Sequence, residues 1–380
     1  MSSHALPDPW TRAGRNARRI GAWLRGRPRL DGPLLLGLLA LAAVGLGTLY
    51  SASGGNSDLV AAQAIRLGVG FAALYLLSRA PPALLRNLTP WAYLASVALL
   101  LLVPLIGTGR YARSWIDIGP VFVQPAELVK LSLPLMLAWY LHTRVLPPSL
   151  PMLGVCALVA GVPLTLIAIQ PDLGTAALVA ASAAFVIFLA GLRLWQLGAL
   201  AALGAVAAPI GWYLLHDYQR ARLATFLDPH ADPLGSGWNI IQSEIAIGSG
   251  GLLGKGFGSS TQANLDFLPE HTTDFIFAVL AEEFGLVGVL LVIVLYALIV
   301  GRAIHLATLA RDTWSRLVGG ALALTFAVYV LVNGAMVAGL LPVIGVPMPL
   351  ISYGGTSAVT LLAGFGILMS IHAHRRVAGA

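Results

Sequence analysis

The densest set of groups able to do acid–base work lies just before a long apolar run. Asp266-Phe267-Leu268-Pro269-Glu270-His271-Thr272-Thr273-Asp274 leads into Phe275-Ile276-Phe277. A carboxylate at such a border can take a proton from a hydroxyl, or hold a divalent cation that does so. Asp274 also falls at an expected helix N-terminus, where capping is its plainer use. Glu282 follows about 12 Å deeper on the same helix face, at 1.5 Å per residue. A buried Glu needs a partner, and Arg66, inside another apolar run, is the expected one. His271 does not make a zinc site, because too few other His or Cys residues could join it.

Three further clusters carry charge. Gly109-Arg110-Tyr111-Ala112-Arg113-Ser114-Trp115-Ile116-Asp117 is followed by Gln124-Pro125-Ala126-Glu127-Leu128-Val129-Lys130. Pro125 suits a first helical position. Glu127 and Lys130 are three apart, hence neighbours on one helix face. They are either a pair that lets two charges enter the membrane edge or working groups, since ionisable residues in spans are costly. Gln170-Pro171-Asp172-Leu173-Gly174-Thr175 joins two apolar runs, and Asp172 either caps the second or serves chemistry. Tyr218-Gln219-Arg220-Ala221-Arg222-Leu223 brings two Arg together, and Trp238 to Ile247 reads as an amphipathic interfacial helix. The glycine-rich Gly248 to Gly258 could offer backbone N–H groups and Lys255 to a phosphate, or merely break the chain. It is not a P-loop, for no helix opening with Lys-Ser/Thr follows.

The elements that must position these residues are membrane helices. The chain has 380 residues, 58% apolar and only 10% charged, against about 25% in a soluble domain. Such a chain cannot cover a folded surface with polar groups. A lone Cys156 excludes a disulfide scaffold. A span needs about 20 apolar residues. Runs at 32–56, 59–77, 87–109, 126–141, 150–171, 173–192 and 194–216 supply seven. Hydrophobicity drops over 217–273, and an eighth run begins near Phe275. The stretch 317–374 has no Asp, Glu, Lys or Arg, and Pro342, Pro347 and Pro349 divide it into two more. The expected fold is an all-α membrane protein of about ten spans, residues 32–376, behind an Arg-rich tail at 1–31.

The net charge of +7 invites a nucleic-acid partner, but its distribution refutes one. With both termini inside, 16 of the 23 basic residues fall on inner segments. Most acids then fall on the outer side, which makes the chemistry extracytoplasmic. The Arg-rich tail is read as an orientation signal or a cytoplasmic docking site. No inverted repeat supports a transporter.

These motifs resemble the SEDS family (shape, elongation, division and sporulation). The resemblance is carried by Gly248 to Gly288, Gln170 to Thr175, Gln124 to Lys130 and Leu341 to Gly355, in the family's order. Gly345-Val346-Pro347-Met348-Pro349-Leu350 and the ending Met369 to Arg376 are similar to the RodA branch rather than the FtsW branch. The resemblance implies a peptidoglycan glycosyltransferase of the bacterial cytoplasmic membrane, serving elongation and cell shape. It would join the 4-hydroxyl of an acceptor GlcNAc to C1 of a donor MurNAc on lipid II and release undecaprenyl pyrophosphate. The family's key acid falls on Asp274, although His271 and Thr272 are displaced by one from the family's His-Thr-Asp order.

The leaving pyrophosphate needs cations. Arg110, Arg113, Lys130, Arg220, Arg222 and Lys255 are the outer candidates, with Glu127, Asp172 and Ser352 as further substrate-binding positions. Magnesium or manganese is the one cofactor the chemistry invites. A class B penicillin-binding protein would supply transpeptidation, since no Ser-x-x-Lys motif faces outward here, and other elongation-complex membrane proteins would join it. A lipid II flippase and a non-catalytic scaffold are the rival readings. The rim position of Asp274 favours catalysis over transport, and the outer acids and bases favour it over a scaffold.

Overall fold

The computed structural model describes residues 30–108, 114–119, 121–193, 217–233 and 237–374, with isolated positions between 195 and 213 and residue 235. Apolar runs become helices because a backbone in lipid must satisfy its own polar groups. Three helices open the chain: α1 (Gly32–Ala52), α2 (Ser57–Arg79) and α3 (Pro82–Ile106). An antiparallel hairpin, β1 (Ile116–Ile118) and β2 (Val121–Val123), leads into α4 (Pro125–Leu141), α5 (Leu150–Ile169) and α6 (Leu173–Leu189). Next come α7 (Asp217–Leu227), α8 (Trp238–Gly250), the one-turn α9 (Thr261–Asn264), α10 (Ile276–Thr308), α11 (Thr313–Val337) and α12 (Thr356–Ala373).

Among the described residues, seven helices are long and apolar enough to cross a membrane: α1, α2, α3, α5, α10, α11 and α12. The chain is a multi-pass membrane protein. The apolar helices α4 and α6, 17 residues each, are shorter, and the expected seventh run, 194–216, lies largely outside the described residues. The Arg-rich tail lies outside them as well. Helix starts are capped where the sequence supplies a short polar side chain: Asp31 accepts from Leu34 N, Asn56 from Leu59 N, and Asp312 from Ser315 N.

Two apolar cores hold the bundle. One joins α1, α2, α10 and α12; the other joins α3, α4, α5 and α6. Helix α11 belongs to both, with Trp314, Phe326 and Tyr329 almost fully buried. The two ends of the bundle are set by polar contacts. At one end the Asp31 carboxylate takes two hydrogen bonds from Arg302, at 3.0 and 2.7 Å, with His372 nearby. At the other end Ser51 bonds Glu283, and Gln63 bonds the Ser352 carbonyl. Among the described residues, the candidate acids Glu127, Asp172 and Asp274 gather at this second end.

The segment 217–273 is more ordered than a loop. Helix α8 does not simply lie on the surface: Ile240, Ser243 and Ala246 are buried, and Ser243 donates to Val337 O at the end of α11.

Candidate active site

A cavity of about 300 Å³ opens at this end, lined by Trp115, Gln124, Glu127, Lys130, Asp172 and Asp274 among others. Ser114 and Trp115, just before the hairpin, and the start of α4 form one wall. The start of α6, the loop before α10 and the non-helical segment between α11 and α12 form the rest.

Asp274 does not cap α10. The helix begins at Ile276, Phe275 is its N-cap, and no side chain caps it. The carboxylate is left facing the cavity. Burial and the Glu270 charge push its pKa up to about 6, with Arg222 pulling the other way. Its backbone is held tightly. Asn333 donates to Asp274 O at 2.8 Å and to Val346 O at 2.6 Å. Ser352 Oγ donates to Thr273 O at 2.6 Å, and Tyr353 N donates to Thr272 O at 2.9 Å. Gly345, at φ 70°, lies against the carboxylate: a Cβ there would stand 3.5 Å from Asp274 Oδ2.

Glu127 and Lys130 form an ion pair at 2.6 Å on α4, both almost fully buried. Thr360 donates to the second Glu127 oxygen at 3.2 Å, and the Lys130 ammonium stands 5.0 Å from the centre of the Tyr329 ring. Asp172 does both things the sequence allowed. One oxygen caps α6 through Thr175 N, and the other accepts from Gln124 Nε2 at 3.1 Å on the cavity wall.

The other candidates are placed differently. Arg110 and Arg113 lie outside the described residues. Arg220 donates to Tyr213 O at 2.9 Å, while Arg222 is exposed and bears on Asp274 through its charge. Ser352 is buried and its hydroxyl is fully engaged, donating to Thr273 O and accepting from Met348 N. It fixes the loop that carries Asp274 rather than offering a free hydroxyl.

Lys255 is a correction. Its ammonium is paired with Glu282 at 2.5 Å and also donates to Thr261. Glu282 is fully buried and further bonded by Ser260, Thr261 and Gln262 N. The expected Glu282–Arg66 pair therefore does not form; Arg66 lies over the Tyr353 ring at 4.4 Å. The glycine-rich loop is equally committed. The N–H groups of Lys255 and Gly256 donate to Glu282 O and Glu283 O, and those of Leu286 and Val287 donate back to Gly251 O and Leu252 O. These bonds bridge a break in α10 at Gly285, so the loop braces a helix instead of cradling a phosphate.

Asn333 and Thr360 were not singled out from the sequence, and Gly345 and Tyr353 were named there only within a family motif, with no role at the site. Asn333 carried a signal: it is the only carboxamide in 317–374, and a polar side chain within an apolar helix needs a reason. The described residues form no all-protein cage for a divalent ion. Among the described residues no three His, Cys, Asp or Glu groups converge on one point. Glu127 and Asp172 are already engaged by neighbours.

Comparison with known proteins agrees with this architecture. The sequence model of the FtsW, RodA and SpoVE family, described as cell cycle protein, matches residues 33–377. The chain is 46% identical over 350 residues to the peptidoglycan glycosyltransferase MrdB of Escherichia coli (strain K12), covering 92% of this chain and 95% of that one. It is 33% identical over 360 residues to the stage V sporulation protein E of Bacillus subtilis (strain 168), covering 90% and 97%. Among solved structures, a chain from a peptidoglycan synthase complex that coordinates polymerization and crosslinking superposes with a TM-score of 0.81. It shares 33% identity and covers 92% of this chain and 99% of that one. The rod shape determining protein RodA of Thermus thermophilus superposes with a TM-score of 0.71 at 32% identity, covering 92% and 98%. Four motifs in order, the helical plan and these matches lead to one conclusion: the chain belongs to the FtsW, RodA and SpoVE family, the SEDS proteins.

Proposed function

We propose that this protein is a peptidoglycan glycosyltransferase that polymerises lipid II, with Asp274 as its base. The observation that carries the assignment is the Asp274 carboxylate. It is largely desolvated, uncommitted to the helix end beside it, and set in a cavity next to a buried ion pair. Its raised pKa, about 6, lies close to working pH, where a general base is most effective.

In this reading the acceptor's 4-hydroxyl oxygen attacks C1 of the donor sugar. Its proton passes to Asp274, the bond from C1 to the pyrophosphate oxygen breaks, and the electron pair leaves with the pyrophosphate. Lys130 lines the cavity in which this charge develops, and Arg222 adds its positive charge to the field at Asp274. Glu127 holds Lys130 in place, and Asp172 with Gln124 shapes the wall. One free carboxylate supports a single displacement with inversion; a trapped glycosyl adduct on Asp274 would contradict it. Among the described residues no three His, Cys, Asp or Glu groups gather, so a magnesium or manganese ion would arrive with the substrate's phosphates.

We further place about ten spans in the bacterial cytoplasmic membrane, both termini inside and the cavity facing outward. This rests on the inner excess of Arg. A class B penicillin-binding protein is the proposed partner for crosslinking, supported by the likeness to a synthase complex that couples the two reactions. Purified protein given labelled lipid II should yield glycan ladders on a gel, alone or with that partner. Movement of lipid II across liposomes without any ladder would favour a flippase instead.

A further inference from the structure

We infer that Arg66 is the pyrophosphate ligand of a lipid-open groove in which the prenyl chain of the substrate lies. This deepens the proposed function and rests on it. The groove, about 730 Å³, runs between α2, α12 and the β1–β2 hairpin. Its outer surface is apolar and open: Ile65, Val69 and Phe122 are each more than half exposed. Such a surface suits a hydrocarbon chain and offers nothing to a sugar.

Arg66 lies in this apolar setting, about 14 Å along α2 from the helix start at 1.5 Å per residue. A cation at that depth requires an anion. The sequence nominated Glu282, but Glu282 belongs to Lys255. Glu127, the one carboxylate lining the groove, belongs to Lys130 and Thr360. Among the described residues Arg66 makes no ion pair. Its contact is the face of Tyr353, 4.4 Å away. A guanidinium held over a ring face still has N–H groups to offer a ligand. A guanidinium fork without a counter-ion among the described residues suits a doubly charged pyrophosphate.

The groove is also continuous with the Asp274 cavity. Trp115, Gln124, Glu127 and Tyr353 line both. Gln63, one turn before Arg66, donates to Ser352 O and accepts from Gly354 N, and Tyr353 N donates to Thr272 O. The platform under Arg66 is thus tied to the loop that carries Asp274. A lipid anchored here by its pyrophosphate presents its first sugar to the base.

The test measures binding of undecaprenyl pyrophosphate and of undecaprenol to the full-length protein in detergent, for wild type, Arg66→Gln and Arg66→Lys. Phosphatidylglycerol serves as competitor. Losing charge-assisted hydrogen bonds should weaken the pyrophosphate about ten- to hundredfold in Arg66→Gln. Undecaprenol binding should stay within about twofold of wild type, since the prenyl bed carries no charge. Arg66→Lys should fall between, and phosphatidylglycerol should compete poorly. Unchanged pyrophosphate binding in Arg66→Gln would overturn the inference. So would equal loss of both ligands, which would mark Arg66 as structural, or equal competition by phosphatidylglycerol. Wild type that binds undecaprenyl pyrophosphate but never polymerises would sink the proposed function and leave this site standing. A working polymerase whose Arg66→Gln variant binds normally would sink the site alone.

Discussion

Asp274 is governed by its surroundings more than by its type. An ordinary Asp ionises near 3.9; burial and Glu270 bring this one to about 6. In the proposed role the ionised form is the base, so kcat/KM should fall about tenfold per pH unit below pH 6. A profile still flat at pH 5 would contradict that role. The same shift bears on stability. Between about pH 4 and 6 the folded state holds a proton that the unfolded state has lost, so stability falls as pH rises through this window. Above it the full penalty persists. Asp274→Asn should therefore melt higher than wild type at pH 8, with the difference fading towards pH 4. At this scale the border position of Asp274 was legible in the sequence, but the partners of the other charges were not. Nothing in the spacing of Arg66, Lys255 and Glu282 says which pair meets; that depends on how a glycine loop folds back onto a helix 27 residues further on.

That brace sets the behaviour of the elements. Gly285 breaks α10 at φ 62°, ψ −164°, a conformation essentially closed to other residues. A Cβ there would come within 2.4 Å of Gly254 N. The helix beyond the break is still long enough to span the membrane, which places Glu282 and the loop near the interface. Removing Glu282 would strand a cation and several buried donors at once. Glu282→Ala should cost about 2–4 kcal/mol, and Lys255→Met less, because that ammonium is 30% exposed and Glu282 keeps its other donors. Chemical denaturation in detergent would measure both; a Lys255→Met cost equal to that of Glu282→Ala would contradict the order. Helix positions were legible in the apolar runs and their proline and cap boundaries. The break at Gly285 was not, because continuous apolar character does not reveal a φ angle.

At the scale of the molecule, polar contacts divide the bundle into two ends, and the proposed topology turns the Asp31–Arg302 end inward. Cys156 is buried, so the native chain should give little background to thiol labelling. Leu253→Cys, on the exposed loop, should react with an impermeant maleimide in intact cells. Arg311→Cys should react only after permeabilisation, and the reverse pattern would invert the topology. The family plan could be read from four motifs, but the meeting of groove and cavity could not, since it joins α2, α4 and α12 from distant parts of the chain. The central claim is that Asp274 performs the chemistry rather than holds the fold. The most direct measurement compares lipid II binding and glycan formation in wild type and Asp274→Asn. We expect the variant to bind lipid II as wild type does and to form no glycan ladder. Polymerisation by a well-folded Asp274→Asn protein at a rate near wild type would contradict the account.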